Sequence, residues 1–328
     1  MDSTPVLPPQ EEPESSGVSL RRRTLPGPAQ VLSHRLAAQW RIVQKKFPSD
    51  GQSLDPDTVH DLRVASRRVR AVLSLAREIS PGKKIRRPIK DMRRLGRALG
   101  SVREADVNIE QLLKRRKRWV GQEVAAAESL LALDFERQRR LRAKMERRLR
   151  AIDLGRLERD LESLKLAARE PLPVSLPEFA RSKVDERMSG LRTVLERARL
   201  HPTPRSFHLL RIEVKKFRYA VEILSLAFDS RRGTAIRSRL KSLQDDLGEF
   251  HDLAVLHRSL GVSRRNFGRE ELEVLSRQTL GLQRRLAGEL KESARRLSHR
   301  LNALSRTGFW EHIPEALRSE PAPDFTST

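Results

Sequence analysis

The chain has 328 residues, with 67 Lys and Arg against 43 Asp and Glu, a net charge of +24, no cysteine and 4% aromatic residues. Without cysteine there are no disulfides or thiolate metal sites. No stretch approaches the ~18 uninterrupted apolar residues of a spanning helix, and the N-terminal residues lack the basic-then-apolar order of a signal peptide, so a cytoplasmic protein is expected.

In chain order, residues 1–28 are rich in Pro, Ser and Gly and read as a disordered leader. Four helices follow near 29–46, 57–79, 84–114 and 121–167, where apolar residues recur at helical spacing and glycine is sparse. Residues 169–177 contain Pro171, Pro173 and Pro177 and read as a linker. Four more helices are predicted near 178–199, 204–228, 232–260 and 268–305, with a loose tail over 311–328. Alternating β-branched stretches are nearly lacking, so the fold class is all-α: two four-helix bundles, at 29–168 and 178–310.

The excess charge lies in these two bodies. Residues 29–168 hold 34 basic and 18 acidic groups, residues 169–310 hold 29 and 17, and both termini are slightly acidic. A folded body that repels itself this strongly has a polyanionic partner as its expected ligand. Charge supplies the sign of that partner and not its identity.

The two bodies are related by a constant offset of 148 residues. It pairs Val59-His60 with Phe207-His208, Leu99-Gly100 with Leu247-Gly248, and Glu104 with Asp252. One gap-free offset over roughly fifty residues marks a duplicated helical unit, and two such bundles are expected to relate by pseudo-two-fold symmetry around a basic cleft or pore. Each Leu-Gly sits inside a helical pattern, where glycine costs about 1 kcal/mol relative to alanine, so close helix approach or a kink is expected there.

At 100° per residue, His60, Arg63, Arg67 and Arg70 fall within an arc of about 80°. Leu62, Ala65, Val69, Val72 and Leu73 lie opposite, as a core-facing stripe should. The second unit repeats the pattern with His208, Arg211, Lys215 and Arg218 opposite Leu210, Phe217 and Val221. Each basic row is about 15 Å long at 1.5 Å per residue, a length suited to several successive phosphates. The third helix adds Lys90, Arg93 and Arg97. Its counterpart is weaker, with Lys241 over Arg93 but Asp245 over Arg97, so an unequal pair with a stronger first half is expected.

A helix with one charged face is usually just solvated. Three features favour an anion site: the rows lack the i+4 acidic partners of solvated faces, the same residue types recur in both units, and a histidine opens each row. Further basic contacts are expected from Arg35, Arg68, Lys83, Lys84, Arg103, Lys183, Lys216, Arg231, Arg232, Arg237 and His251. The clusters at 114–118 and 137–150 read as solvated outer helix.

At these positions the sequence resembles the CHAD family, the conserved-histidine α-helical domain. Its mark is a helix reading roughly H-x-x-R-V-x-x-[RK]-[RK]-x-R, followed by Leu-Gly and a basic–acidic pair. Here it reads His60-Asp61-Leu62-Arg63-Val64-Ala65-Ser66-Arg67-Arg68-Val69-Arg70 with Leu99-Gly100 and Arg103-Glu104. The second copy runs from His208 to Arg218, with Leu247-Gly248 and His251-Asp252. The resemblance covers about 29–310 and implies a non-catalytic protein that binds inorganic polyphosphate through the matched His, Arg and Lys residues, with association with polyphosphate granules. His251 stands where the family has a basic residue. Many relatives fuse this domain to a triphosphate-processing barrel; no such segment precedes residue 29, so a stand-alone member is expected.

A nucleic-acid binder is the alternative on charge alone, but no aromatic platform alternates with the basic rows for base stacking. A histidine-metal phosphohydrolase is the second alternative. It is disfavoured because His60 and His208 have no His or carboxylate at i+3 or i+4 and HExxH is lacking. No metal and no cofactor are expected.

Overall fold

Helix starts in this protein are set by local chemistry. In the computed structural model, which describes residues 25–48, 53–79, 82–167, 174–228, 230–263 and 271–317, α1 (Pro28–Lys46), α2 (Pro56–Ile79) and α7 (Pro204–Ile223) each open on a proline. Its fixed φ and missing N–H suit the first helical position. Asp55 accepts the Thr58 backbone N–H at 2.7 Å ahead of α2. Ser175 with Glu178, and Thr203 with Ser206, form reciprocal caps ahead of α6 (Leu176–Leu200) and α7. Such caps satisfy N–H groups that a helix leaves without internal partners. The remaining helices are α3 (Lys83–Arg116), α4 (Gln122–Arg150), α5 (Leu154–Ala167), α8 (Ser230–Ser263), α9 (Glu271–Arg306) and α10 (Phe309–Ala316). Among the described residues there is no strand, as the all-α reading expects.

The helix boundaries differ from expectation in three places. The single helix expected over 121–167 is α4 and α5, because Asp153 accepts the Arg156 backbone N–H at 2.8 Å and restarts the helix. α7 ends at Ile223 and passes through a 3₁₀ turn at Ser225–Ala227. Residues 309–316 form α10, across the point where a loose tail was expected to begin. Gly308, at φ +65°, breaks the chain direction after α9. Phe309, Trp310, Ile313 and Leu317 then bury themselves against α6, α8 and α9. Most of the expected leader (residues 1–24), the linker residues 168–173 and the last residues 318–328 lie outside the described residues.

Helix starts keep the sequence offset to within one residue: α1 and α6 begin at 28 and 176, α2 and α7 at 56 and 204, α3 and α8 at 83 and 230. In space α2 packs on α7, α3 on α8 and α4 on α9. One large core runs through both halves, from Trp40, Leu62 and Leu95 to Phe207, Phe217 and Trp310. A second, smaller core holds Ile109, Leu112, Trp119 and Leu130 against Leu253, Leu256, Leu282 and Leu286. The halves therefore share apolar surface, which the ~25 cal/mol/Å² of burial turns into rigid mutual placement. Trp40, Phe217 and Tyr219 pack as expected, and Trp119 is buried as well. No described helix is long and apolar enough to cross a membrane.

Candidate functional site

Packing α2 on α7 places the two histidine-led rows side by side. Each row stands out of the core because its opposite stripe is sunk in it: Leu62, Val69, Leu210 and Phe217 are fully buried. The rows meet in a cleft of about 400 Å³ between α2, α3, α6 and α7. Seven cations line it: Arg67, Arg70 and Arg77 from α2, Arg93 from α3, Arg187 from α6, and Lys215 and Lys216 from α7. No carboxylate lines it.

A second cavity, of about 510 Å³, opens between the C-terminal end of α3 and the middle of α8. It mixes Lys114, Arg115, Arg118 and Arg211 with Asp245, Glu249 and Asp252. Arg211 lines this cavity while its charge acts on Lys215 in the cleft. Arg63 is the neighbouring link, coupled to Arg67, Arg211 and Arg103. The guanidinium Nε atoms of Arg67 and Arg211 are buried without a hydrogen-bond partner, an arrangement that costs free energy until an acceptor arrives.

Crowded cations shift one another. Burial, then Arg67 and Arg211, pull Arg63 down to about 10. Burial, then Arg93, Arg67 and Arg97, lower Arg70. Lys215 falls to about 7 through burial, then Arg211, Arg67, Arg63 and Arg218. The histidines move the same way. Burial, then Arg103 and Arg67, lower His60, and burial, then Arg211, Arg258 and Lys215, lower His208. His251 stands beside His208, ring centroids 5.1 Å apart and Nδ1 atoms 3.4 Å apart. Burial, then Arg211 and His208, bring it to about 4. Asp252 is raised by burial against the pull of Arg211 and Arg103. Desolvation and like charge both disfavour protonation, so the empty site holds less positive charge than its residue count implies.

The expected glycine role is refined. Arg63 lies across α3, donating from Nη1 to the Gly96 carbonyl at 3.2 Å. A Cβ on Gly100 would stand 2.8 Å from that Nη1. The close approach at Gly100 is thus by a guanidinium. Gly248, its counterpart, has nothing within 4 Å and borders the second cavity.

Arg67, Arg70, Arg93, Lys215 and Lys216 are brought together in the cleft, with Arg63 and Arg211 behind them. Arg103 acts on His60 and Arg63 and approaches Glu110 at 3.9 Å. Arg97 acts on Arg70; Lys90 and Lys84 are exposed, Arg68 is half-buried, and the Lys83 side chain lies outside the described residues. Other expected contacts are committed elsewhere. Lys183 is 5% exposed and bridges Glu78 and Glu186. Although burial opposes it, the bonds to Glu78 and Glu186 hold its pKa above the ordinary value. Lys183 therefore ties helices together and does not line the cleft. Arg35 donates to Ser225 Oγ at 3.0 Å. Arg218 is held by Gln244 and Glu222, both at 2.9 Å, and stacks on Tyr219; Glu222 stands at i+4, a carboxylate partner that the rows were expected to lack. Lys216 pairs with Glu213 at 2.6 Å, and Lys241 faces Asp245 at 3.9 Å. Arg237 donates to Thr234, while Arg231 and Arg232 are exposed.

Sequence reasoning missed Arg77 and Arg187. At the 148 offset they meet Ser225 and Gln39, so the repeat carried no signal for either. It also assigned 114–118 to plain solvent, whereas Lys114, Arg115 and Arg118 line the second cavity and Arg115 pairs with Glu289.

The geometry is that of a helical scaffold with cationic rows facing a shared cleft. The chain belongs to the CHAD domain family, whose pattern it matches over residues 29–261. Its fold is similar to the CHAD domain from the plant Ricinus communis, at 23% identity and a TM-score of 0.61, covering 91% of this chain and 94% of that one. It is also similar to PptA from Streptomyces chartreusis, at 18% identity and a TM-score of 0.56, covering 82% of this chain and 98% of that one. No curated protein matches it significantly in sequence.

Proposed function

We propose that this protein binds inorganic polyphosphate without catalysing its breakdown, in the cleft where the α2 and α7 rows meet. The observation that carries this is the cleft lining: seven cations from four helices and no carboxylate. Rows of forked Arg donors suit closely spaced phosphate oxygens better than they suit one shaped metabolite. The chain would run from the cleft past Arg67, Arg63 and Arg211 toward the second cavity. On this reading the halves arose by duplication and face one another about an approximate two-fold axis. Targeting to polyphosphate granules in the cytoplasm would follow from the same affinity.

The low aromatic content of the cleft, where Tyr219 is the one ring in the lining, disfavours a nucleic-acid groove, which stacks successive bases on rings. The test is one titration series in one buffer with long polyphosphate, triphosphate and single- and double-stranded DNA. Long polyphosphate is expected to bind most tightly and to displace DNA. DNA binding equal to or tighter than polyphosphate at equal charge would overturn the reading.

A further inference from the structure

Lys215 lines a cleft of about 400 Å³ whose other lining residues include several arginines. Arg67 and Arg70 of α2 and Arg93 of α3 share the lining with Lys215. Arg63 of α2 and Arg211 and Arg218 of α7 act on it electrostatically, as do His251 and Asp252 of α8; Arg187 of α6 and Lys216 complete the charged surroundings. Glu213 and Glu222 of α7 pair with the neighbouring Lys216 and Arg218.

We propose that Lys215 is a site of covalent acylation by acyl phosphates, small anhydrides of a carboxylic and a phosphoric acid. The Arg67, Arg70 and Arg93 guanidiniums hold the phosphate end. The neutral Lys215 Nζ lone pair attacks the carbonyl carbon, and the C–O bond to phosphorus breaks with its electron pair leaving on phosphate. The departing phosphate takes the excess nitrogen proton, so the products are an amide and hydrogen phosphate. Nothing is oxidised or reduced. The arginines act twice, by concentrating the donor and by stabilising the phosphate that leaves.

The chemistry needs an unprotonated amine. An ordinary lysine, near 10.4, has about one amine in 2,500 unprotonated at pH 7. Lys215, lowered to about 7, is roughly half neutral there. Exposed Lys84 and Lys90 provide internal references. The modification would remove one charge and add an acyl group to the cleft. It is independent of which polyanion normally occupies that cleft.

The full chain is incubated with acetyl phosphate at pH 7, and acetyl occupancy at each lysine is read by peptide mass spectrometry over time. Lys215 is expected to react at least about tenfold faster than Lys84 or Lys90, the margin left after reduced access offsets its larger neutral fraction. Its rate is expected to level off above about pH 8. Arg93→Gln, at an exposed position, is expected to lower the Lys215 rate with acetyl phosphate but not with the phosphate-free donor p-nitrophenyl acetate. Lys215 reacting no faster than the two references overturns the proposal. So does an undiminished acetyl phosphate rate in the Arg93→Gln variant.

Discussion

Lys215→Arg isolates the alkaline limb of polyphosphate binding. In the empty cleft Lys215 is brought to about 7 by burial and by the surrounding arginines, against an ordinary 10.5. A bound polyanion reverses that field and raises the lysine toward its ordinary value. A group whose pKa is raised by binding contributes fully below its free-state value. That contribution is lost as pH climbs through the interval toward the bound-state value. Taking the free value as about 7 and the bound one as 9.5 to 10.5, affinity falls by about 20-fold between pH 7.5 and 9, roughly 1.8 kcal/mol. Arginine keeps its charge throughout this range, so Lys215→Arg should show little loss over the same interval. Titrations of labelled polyphosphate at fixed ionic strength measure both slopes. Calorimetry at pH 8 in buffers of different ionisation enthalpy should find close to one proton taken up by the wild type and far less by the variant. Equal pH slopes in the two forms, or no proton uptake by the wild type, would refute the reasoning.

Four further outcomes are expected. Replacing both Arg63 and Arg211 with Gln should weaken polyphosphate binding and lower the slope of log affinity against log salt by up to about two, since each lost phosphate contact releases about one counterion fewer. Gly100→Ala places a Cβ 2.8 Å from Arg63 Nη1 and should reduce affinity severalfold. By contrast Gly248→Ala meets nothing within 4 Å and should raise thermal stability by about 0.5–1 kcal/mol through helix propensity; a polyphosphate titration checks the first variant and a melting curve the second. Lys183→Met leaves Glu78 and Glu186 unpaired at half-exposed positions, where water solvates them, so at most about 1 kcal/mol of stability should go with the salt slope of binding unchanged. Trp310→Ala, at a side chain 1% exposed, should cost about 3–5 kcal/mol in denaturant unfolding, which would establish α10 as part of the core.

The local code was readable without the structure. Prolines and capping residues set where α2 and α7 begin, and the 3.6-residue period separated His60, Arg63 and Arg67 from Leu62 and Val69. The constant offset then placed His208, Arg211 and Lys215 at the matching positions of the second helix. α10 was missed because its prolines and acidic residues resemble a tail in composition, while the neighbours that bury Phe309 and Trp310 lie on α6 and α8. The family resemblance, carried by His60 to Arg70 and His208 to Arg218, is upheld by the match over 29–261.

What a sequence determines is direction around a helix axis, because successive residues turn by a fixed angle. It therefore determined that this protein is helical, that its two units repeat, and that each presents a cationic row away from its core. Which of those cations stay available was decided only in three dimensions, by partners more than a hundred positions away or absent from the repeat. Glu78 takes Lys183, Ser225 takes Arg35, and Arg187 joins a cleft built mainly by α2 and α7. The charge state of Lys215 belongs to the same class. It depends on desolvation and on Arg63 and Arg67 across the helix contact, and a helical period carries no information about what a second helix brings to face the first.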